Sequence, residues 1–472
     1  METKGKNRKV IGRGTVVTCK MKKLLRSLRL SAGLSIESLA DKAGVSEKTL
    51  KKIENLEDCQ ECFDEDTLIK IAVALNISFD ELLGKQKQSV QEDSLINFEF
   101  LAEQFREIDH MLLPLIRDHR HAGKSLIEHA YMSLLSQCLQ DRDINLDLIN
   151  RTLRDPIRRN SFLTGLPKPG LVVEVSDDLS EISYNCCPNE KLTVKKPHLL
   201  WDCHCDTPSI KLNAFKCPIH SKKSGEEIDR HFSNGYVLIR YRDTEFYWRS
   251  SQELWPPSID SFYMMDAMKA DGLFKNKYNS VLDIGSGTGF LGIMTACLNP
   301  YITEITLSDW LLTPYLYGSV NWFLNRKNCE HISFKANTSL FTNGLGSLAR
   351  PYDIAICNPP YLPLLDGFDE IGLESTVAGT DLLTDVISKN KSLANKIYIQ
   401  FSNLCGPEAQ IAQKKAGVKL RPVGKERPVP FRVRVLWERQ DYLGVLIKER
   451  GLIEKKDDRH RFWHKLQTYV IE

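Results

Sequence analysis

The chain lacks any run approaching the roughly 20 apolar residues of a membrane span, so neither a span nor a membrane partner is expected. It also lacks the pattern of a secretory leader: Met1 to Val10 is polar and no apolar segment follows. Acid is missing from Lys4 to Arg29, a stretch rich in Lys and Arg. Such a segment is either a solvated tail or an arm that neutralises phosphates. A strong overall charge is missing too, because 64 basic and 61 acidic residues leave +3, which says little about partners. Cysteine is not scarce. Thirteen of them without a secretion signal point to reduced thiols in a cytosol, some available for metal.

At 472 residues the chain is too long for one ordinary core, so two to four domains are expected. A composition of 42% hydrophobic and 26% charged residues is that of a globular protein. After a basic arm at 1–20, residues 21–84 read as an all-α unit. Leu24, Leu25 and Leu28 give its first helix an apolar face, and Ser35 caps a helix from Ile36 to Ala43. Gly44-Val45-Ser46 makes a turn, and Ser46 caps the next helix, Glu47 to Asn55. A fourth, Thr67 to Leu75, carries Leu68, Ile71, Ala72 and Leu75 at helical spacing, with Phe79, Leu82 and Leu83 closing the bundle. On Gly33-Leu34-Ser35, Leu39-Ala40, Ala43-Gly44-Val45-Ser46, Ile53-Glu54-Asn55 and Ile71 to Leu75, this unit resembles the Cro/C1-type (XRE) helix-turn-helix family. The resemblance implies DNA binding with the third helix in the major groove, presenting Ser46, Lys48, Thr49, Lys51 and Lys52 beside Glu47. It also implies a homodimer reading two half-sites. A fold used only for protein contacts is the alternative.

Residues 85–93 are a polar linker, and 94–159 a helical region with Phe98, Phe105, Leu112, Ile116, Leu134, Leu135 and Ile149 as expected core positions. Its role, whether scaffold, dimer interface or substrate platform, stays open. From 160 to 255 the pattern becomes a small β-rich module. Tyr236 to Tyr241 and Glu245 to Arg249 form its clearest hairpin. Cys203 and Cys205, followed by Cys217 and His220, could close a tetrahedral structural zinc site, although the spacing matches no standard finger. Cys59 and Cys62 have no second pair.

Residues 256–440 alternate strand and helix: strands at 281–284, 304–308, 353–357 and 396–402, helices at 289–298, 313–325, 380–390 and 406–416. That rhythm predicts a doubly wound α/β sheet, with 441–472 as a C-terminal extension. Arg421, Lys425, Arg427, Arg432 and Arg434 could face a polyanion or simply a solvated sheet edge. The first strand enters a glycine turn, Asp283-Ile284-Gly285-Ser286-Gly287-Thr288-Gly289, where the backbone can approach a ligand closely. Asp309 ends the second strand, placed to hold two ribose hydroxyls. The third strand ends in Asn358-Pro359-Pro360-Tyr361. An amide or exocyclic amine nitrogen shares its lone pair with a π-system and attacks poorly. The Asn358 side-chain oxygen and the Pro359 carbonyl can each accept one of its N–H groups, more strongly as positive charge grows. Pro359 and Pro360 stiffen the loop, and Tyr361 offers a flat face for stacking.

On these motifs, with Trp255-Pro256-Pro257-Ser258-Ile259-Asp260-Ser261-Phe262, Met265-Asp266-Ala267 and Ala378-Gly379-Thr380-Asp381, residues 255–420 resemble the release-factor glutamine N-methyltransferases and related N6-adenine methyltransferases. The resemblance implies a class I, Rossmann-like fold and S-adenosylmethionine as methyl donor. It would be bound by Asp283, Gly285, Gly287, Gly289 and Asp309, with Asp260 and Ser261 at its methionine end. Asn321 matches a polar position in the helix after Asp309. Where the family has an acid before the Leu-Phe pair that meets adenine, this chain has Asn337-Thr338-Ser339, so Asn337 or Ser339 would have to serve. The implied acceptor is a protein glutamine or a flipped nucleic-acid adenine. The alternative is a DNA-binding transcription regulator whose methyltransferase-like domain only senses the cofactor.

Overall fold

The structure, a computed structural model, describes residues 14–16, 25–26, 28–30, 34–54, 62–75, 98–118, 124–142, 144, 168–187, 190–197, 199–201, 223–251, 254–326, 329, 331–338, 351–363, 365, 380–431, 440–455 and 460–472. The chain divides into two compact units, residues 1–95 and 96–472.

In the first unit, α1 (Ile36–Ala43) begins at Ser35, whose hydroxyl accepts the Ser38 N–H at 3.0 Å, and ends at Gly44 in the left-handed region, φ 63°. The second helix, α2 (Glu47–Glu54), starts where Ser46 Oγ accepts the Thr49 N–H at 3.0 Å. Both caps are those read from the sequence. The third, α3 (Glu65–Ala74), starts two residues earlier than expected because Asp64 caps it, Oδ2 accepting from Thr67 N–H at 3.2 Å. Leu25, Leu39, Leu50, Ile53, Leu68 and Ile71 make the core. Beside it, the Arg29 guanidinium forks onto the Glu54 carboxylate at 2.6 and 2.8 Å. One expectation needs correction. The basic arm is not wholly a free tail, since β1 (Gly14–Val16) pairs antiparallel with β2 (Cys62–Asp64), the strand made by the long loop after α2. Phe79, Leu82 and Leu83 lie outside the described residues.

The second unit holds two sheets on shared cores. The smaller is formed by β3 (Leu171–Val175), β4 (Glu181–Cys187), β5 (Glu190–Lys195), β6 (Tyr236–Tyr241) and β7 (Thr244–Arg249), in the order β5-β4-β3-β6-β7. A helix at Lys223–Asn234, α6, packs on it, while α4 (Phe98–Asp118) and α5 (Lys124–Asp141) precede it in the chain. The expected hairpin is β6 and β7. The small sheet does not stand apart as a module of its own. Rings of the small sheet interlock with two helices of the large one, α7 (Ile259–Ala270) and α8 (Phe290–Leu298): Tyr241 with Phe262, Phe262 with Phe290, and Phe246 with Phe290, at 4.9–5.2 Å between centroids. A fully buried Phe contributes roughly 2–3 kcal/mol relative to exposure, so this seam is a core rather than a linker.

The large sheet runs β10-β9-β8-β11-β12-β15-β13. Its strands are β8 (Ser280–Ile284), β9 (Glu304–Asp309), β10 (Ser333–Thr338), β11 (Tyr352–Cys357), β12 (Ala394–Ser402), β13 (Arg421–Pro430) and β15 (Phe462–Ile471), with short β14 (Ile453–Glu454) against β15. The first five strands are mutually parallel, and β15 enters antiparallel between β12 and β13. Helices α9 (Leu312–Asn325), α10 (Asp381–Ser388), α11 (Asn390–Leu393), α12 (Gly406–Ala416) and α13 (Gln440–Glu449) complete it. Every strand and helix read between 281 and 416 is present. Residues 441–472 are not an appendage, because β15 bonds to strands on both sides.

The 94–159 region belongs to this unit as well. Leu101, Phe105, Ile108 and Leu112 of α4 and Leu135 and Cys138 of α5 pack on Leu312, Leu316, Tyr317 and Val320 of α9. Phe98 and Leu134 join at the margin of that cluster, while the Ile116 side chain and Ile149 lie outside the described residues. Two residues of the basic stretch near β13 face acids: Arg421 pairs with Asp271 at 2.9 Å and Glu472 at 2.7 Å, and Arg427 stands 3.8 Å from Asp266. Arg432 and Arg434 are outside the described residues.

Removing residues 456–472 deletes β15, breaks its ladders to β12, β13 and β14, and takes Phe462, Leu466, Val470 and Ile471 out of the core. The second unit is expected to lose cooperative unfolding, while the first, with its own core, keeps its helical circular dichroism and protease resistance. A second unit still melting cooperatively would count against the integral role of this strand.

Candidate active site

Chain order in the sheet reverses between β8 and β11: β9 and β10 lie to one side of β8, while β12 continues on the far side of β11. At such a switch point, loops leaving adjacent carboxyl ends diverge and open a crevice. Cys357 pairs with Ile284, so the glycine turn after β8 and Asn358 after β11 start side by side.

The glycine turn is built as its residue types require. Gly285, Gly287 and Gly289 have φ of 68°, 50° and 78°. A Cβ on Gly289 would lie 2.8 Å from Leu307 Cδ1, so that glycine makes room for packing. A Cβ on Gly287 would meet no atom within 4 Å, so this glycine faces open space. The turn is tied to β9, Gly285 and Ser286 donating to the Ser308 carbonyl at 2.9 and 3.0 Å.

The acids behave differently from one another. Asp309 is buried, with Oδ2 accepting from Gly287 N–H and Oδ1 from Trp310 N–H, both at 2.8 Å. It thus pins the turn, and the carboxylate retains acceptor capacity for a ligand hydroxyl. Asp283, expected to contact cofactor, is turned inward. Its Oδ2 accepts from Gly292 N–H at 2.8 Å, and burial lifts its pKa to about 7. Ser261 is used within α7, where its hydroxyl accepts the Ser258 N–H at 3.3 Å. Asn321 is also structural: its amide donates to the Thr288 carbonyl at 2.8 Å and accepts from Arg249 N–H at 2.7 Å, joining α9 to β7. Asn337, at the end of β10, has a buried side-chain oxygen that meets no donor among the described residues. Ser339 lies outside them.

Around Asn358 the structure assembles more than the motif named. Asn358 Nδ2 donates to Asp260 Oδ2 at 2.9 Å, and Asn358 Oδ1 accepts from the Tyr361 hydroxyl and from Gln400 Nε2 at 3.3 Å. The Tyr361 hydroxyl also lies 2.7 Å from Asp260 Oδ2. Burial, with Asp260 adding to it, pushes the phenol well above its ordinary pKa. Its ring packs against the core, 6.0 Å from the ring of His464. The ring is half-buried rather than free on both faces. Pro359 is buried and Pro360 half-buried, so the loop is held by packing as well as fixed φ. Asp260 Oδ1 is buried and meets no donor among the described residues.

Sequence reading missed Gln400. It bonds to the Asp260 carbonyl at 2.9 Å through Nε2, and its Oε1 accepts from Thr468 Oγ1 at 3.0 Å. A lone amide within Ile397-Tyr398-Ile399-Gln400-Phe401, a buried strand, was the available signal.

In the first unit, α2 carries Lys48, Lys51 and Lys52 exposed, with Ser46 and Thr49 hydroxyls bonded at 2.6 Å. Lys51 pairs with Glu47 at 2.6 Å. The proposed metal ligands Cys203, Cys205, Cys217 and His220, and also Cys59, lie outside the described residues. Among the described residues no group of three or more His, Cys, Asp or Glu could hold a metal.

A sequence model of the family described as helix-turn-helix matches residues 25–82. One described as lysine methyltransferase matches residues 243–321, from the turn before β7 through the glycine loop and Asp309. The large sheet of the second unit has a Rossmann-like α/β topology. No curated protein matches the chain. Solved structures with partial likeness include a ribosomal protein L11 methylase from Lactobacillus delbrueckii subsp. bulgaricus, 13% identical over 50% of this chain and 84% of that one, with a TM-score of 0.29. Another is the N-terminal domain of human METTL16 in complex with SAH, 14% identical over 46% and 72%, TM-score 0.30. A third is a putative RNA methyltransferase from Pyrococcus horikoshii, 13% identical over 47% and 85%, TM-score 0.28.

The buried acids make a pH prediction. Burial raises Asp283 to about 7 and, on α4, Asp109 to about 6. Both lie above the roughly 3.9 of an unfolded carboxylate. Their contribution to stability is fully present below about pH 4 and is lost as pH climbs through the raised values, because the unfolded chain releases these protons first. Each contributes on the order of 3 kcal/mol of decline between pH 4 and 7. Denaturant titrations should show Asp283→Asn with a shallower decline than the wild type, and identical slopes would refute the assignment.

Proposed function

We propose that the second unit transfers a methyl group from S-adenosylmethionine to a planar amide or amino nitrogen, and that the first unit brings the enzyme to DNA. The observation that carries this reading is the placement of Asn358 at the switch point, beside the glycine turn and bonded to Asp260 and Gln400.

The residues fit the cofactor. Gly287 leaves the approach open, Asp309 retains acceptor capacity for ribose hydroxyls, and Asn337 Oδ1 and Asp260 Oδ1 are buried acceptors awaiting donors. Asn337 would serve the adenine and Asp260 the methionine end, in a direct role for Asp260 that Asp283 does not share. When bound, the cofactor supplies an electron-poor carbon on a sulfonium.

The protein's part is to hold the acceptor nitrogen. Both lone pairs of Asn358 Oδ1 are engaged by Tyr361 and Gln400. An acceptor N–H takes the position of the Tyr361 O–H, which keeps Asp260 Oδ2 as its partner, so Tyr361 loses no hydrogen bond in the exchange. The Pro359 carbonyl takes the second N–H. Both bonds strengthen as the nitrogen becomes positive, and positioning supplies much of the remaining rate.

The family matched at 243–321 is described as lysine methyltransferase, but that match ends before the Asn358 loop. A lysine amine is protonated near neutrality and needs a base to free its lone pair, whereas a conjugated nitrogen needs only orientation. The Asn358 loop supports the second. A cofactor-sensing regulator is the other reading, favoured by one observation, the internal saturation of Asn358 Oδ1.

Incubating the full chain with methyl-labelled S-adenosylmethionine and DNA, RNA or cell-extract protein should place label on adenine or glutamine nitrogen. Asn358→Ala should cut transfer about 100-fold with cofactor binding retained. Label on lysine would sink the planar-nitrogen reading, and cofactor binding without any transfer would leave the sensor. Gly287→Ala should abolish cofactor binding at a cost of only about 1–2 kcal/mol in stability, since its φ is left-handed but the space is open.

A further inference from the structure

We propose that Asp109, on α4 of the helical region before the small sheet, is a positioning residue for the cofactor-binding acid Asp309. This rests on the methyl-donor reading given above. The first N–H groups of any helix lack intrahelical partners. For α9 the cap position is Leu311, which has no acceptor to offer. Asp109 fills the vacancy from some two hundred residues away, Oδ1 accepting from Leu312 N–H at 2.8 Å and Oδ2 from Thr313 N–H at 2.9 Å. Asp309 takes the N–H of Trp310 from the other side. Five consecutive residues, 309–313, are therefore held between two buried carboxylates.

The arrangement is costly as a stability device alone. Burying an acid near a second acid disfavours its charge, and a local Ser or Asp at position 311 would cap α9 without that penalty. What the distant acid adds is a fixed point outside the β9–α9 turn. It sets where the turn begins, and hence where the Asp309 oxygens point relative to Gly287. The apolar side of α4, Leu101, Phe105, Ile108 and Leu112, anchors that point on α9. Asp109 interrupts this apolar stripe as its one acid, the sequence signal for its role.

The test uses the full chain and S-adenosylhomocysteine as probe, with calorimetric Kd and thermal midpoint measured for the wild type, Asp109→Asn and Ile182→Ala. The last variant weakens the same unit from the small sheet, where Ile182 is fully buried, without touching the cap or its anchor. Asp109→Asn is expected to weaken binding at least tenfold, while Ile182→Ala lowers the midpoint comparably with Kd within twofold. Equal Kd in wild type and Asp109→Asn overturns the proposal while leaving the methyl-donor reading intact. No binding to the wild type overturns that reading and this one with it. Should Asp109→Asn not fold, hydrogen exchange on the wild type decides: ligand should protect the amides of Leu312 and Thr313 together with the turn of α4 around Asp109. Protection confined to residues 285–309 would refute the coupling.

Discussion

The bond between the Asp309 carboxylate and the Gly287 amide holds the site in shape. A glycine turn with three left-handed residues has little conformational preference of its own, because glycine forgoes the steric limits that fix other residues. Something outside the turn must choose its conformation. Asp309 does so from the neighbouring strand, and the strand register that brings it there is set by β8 pairing with β9. Loss of that bond frees both the cradle and the strand end.

The same device recurs around the crevice. Asp283 holds the start of α8 through Gly292, Asp109 holds the start of α9, and Asp260 holds the amide of Asn358. Each is a carboxylate out of water, bonded to N–H or O–H donors instead of to a cation. For Asp283 and Asp109 burial opposes the charge and the donors restore part of it, so these two sit nearer to neutrality than surface acids. The result is a site stiff at its edges and uncommitted at its centre, where Asp260 Oδ1 and Asn337 Oδ1 meet no described donor.

Integration of the second unit explains why its segments resist reading as modules. Two ring contacts join the small sheet to α7 and α8, a third joins those helices to each other, the α4–α5 region shares a core with α9, and the last strand is wedged between β12 and β13. Gln400 shows the consequence at the site. It orients Asn358, while Thr468 of the last strand orients Gln400.

Legibility follows distance along the chain. Caps at Ser35 and Ser46, the glycine turn, the strand-helix rhythm and the Asn358 loop are local patterns, dictated by dihedral preference and periodicity, and were readable from the residues themselves. Which donor meets which buried acceptor depends on strand register and helix docking across as many as two hundred residues. Tertiary structure alone therefore decided that Asp283 faces inward, that Tyr361 turns its hydroxyl toward Asp260, that Asp109 caps a distant helix, and that residues 462–471 complete the sheet. The physical reason is that a buried polar group must find a partner wherever packing supplies one, and packing is a property of the folded whole.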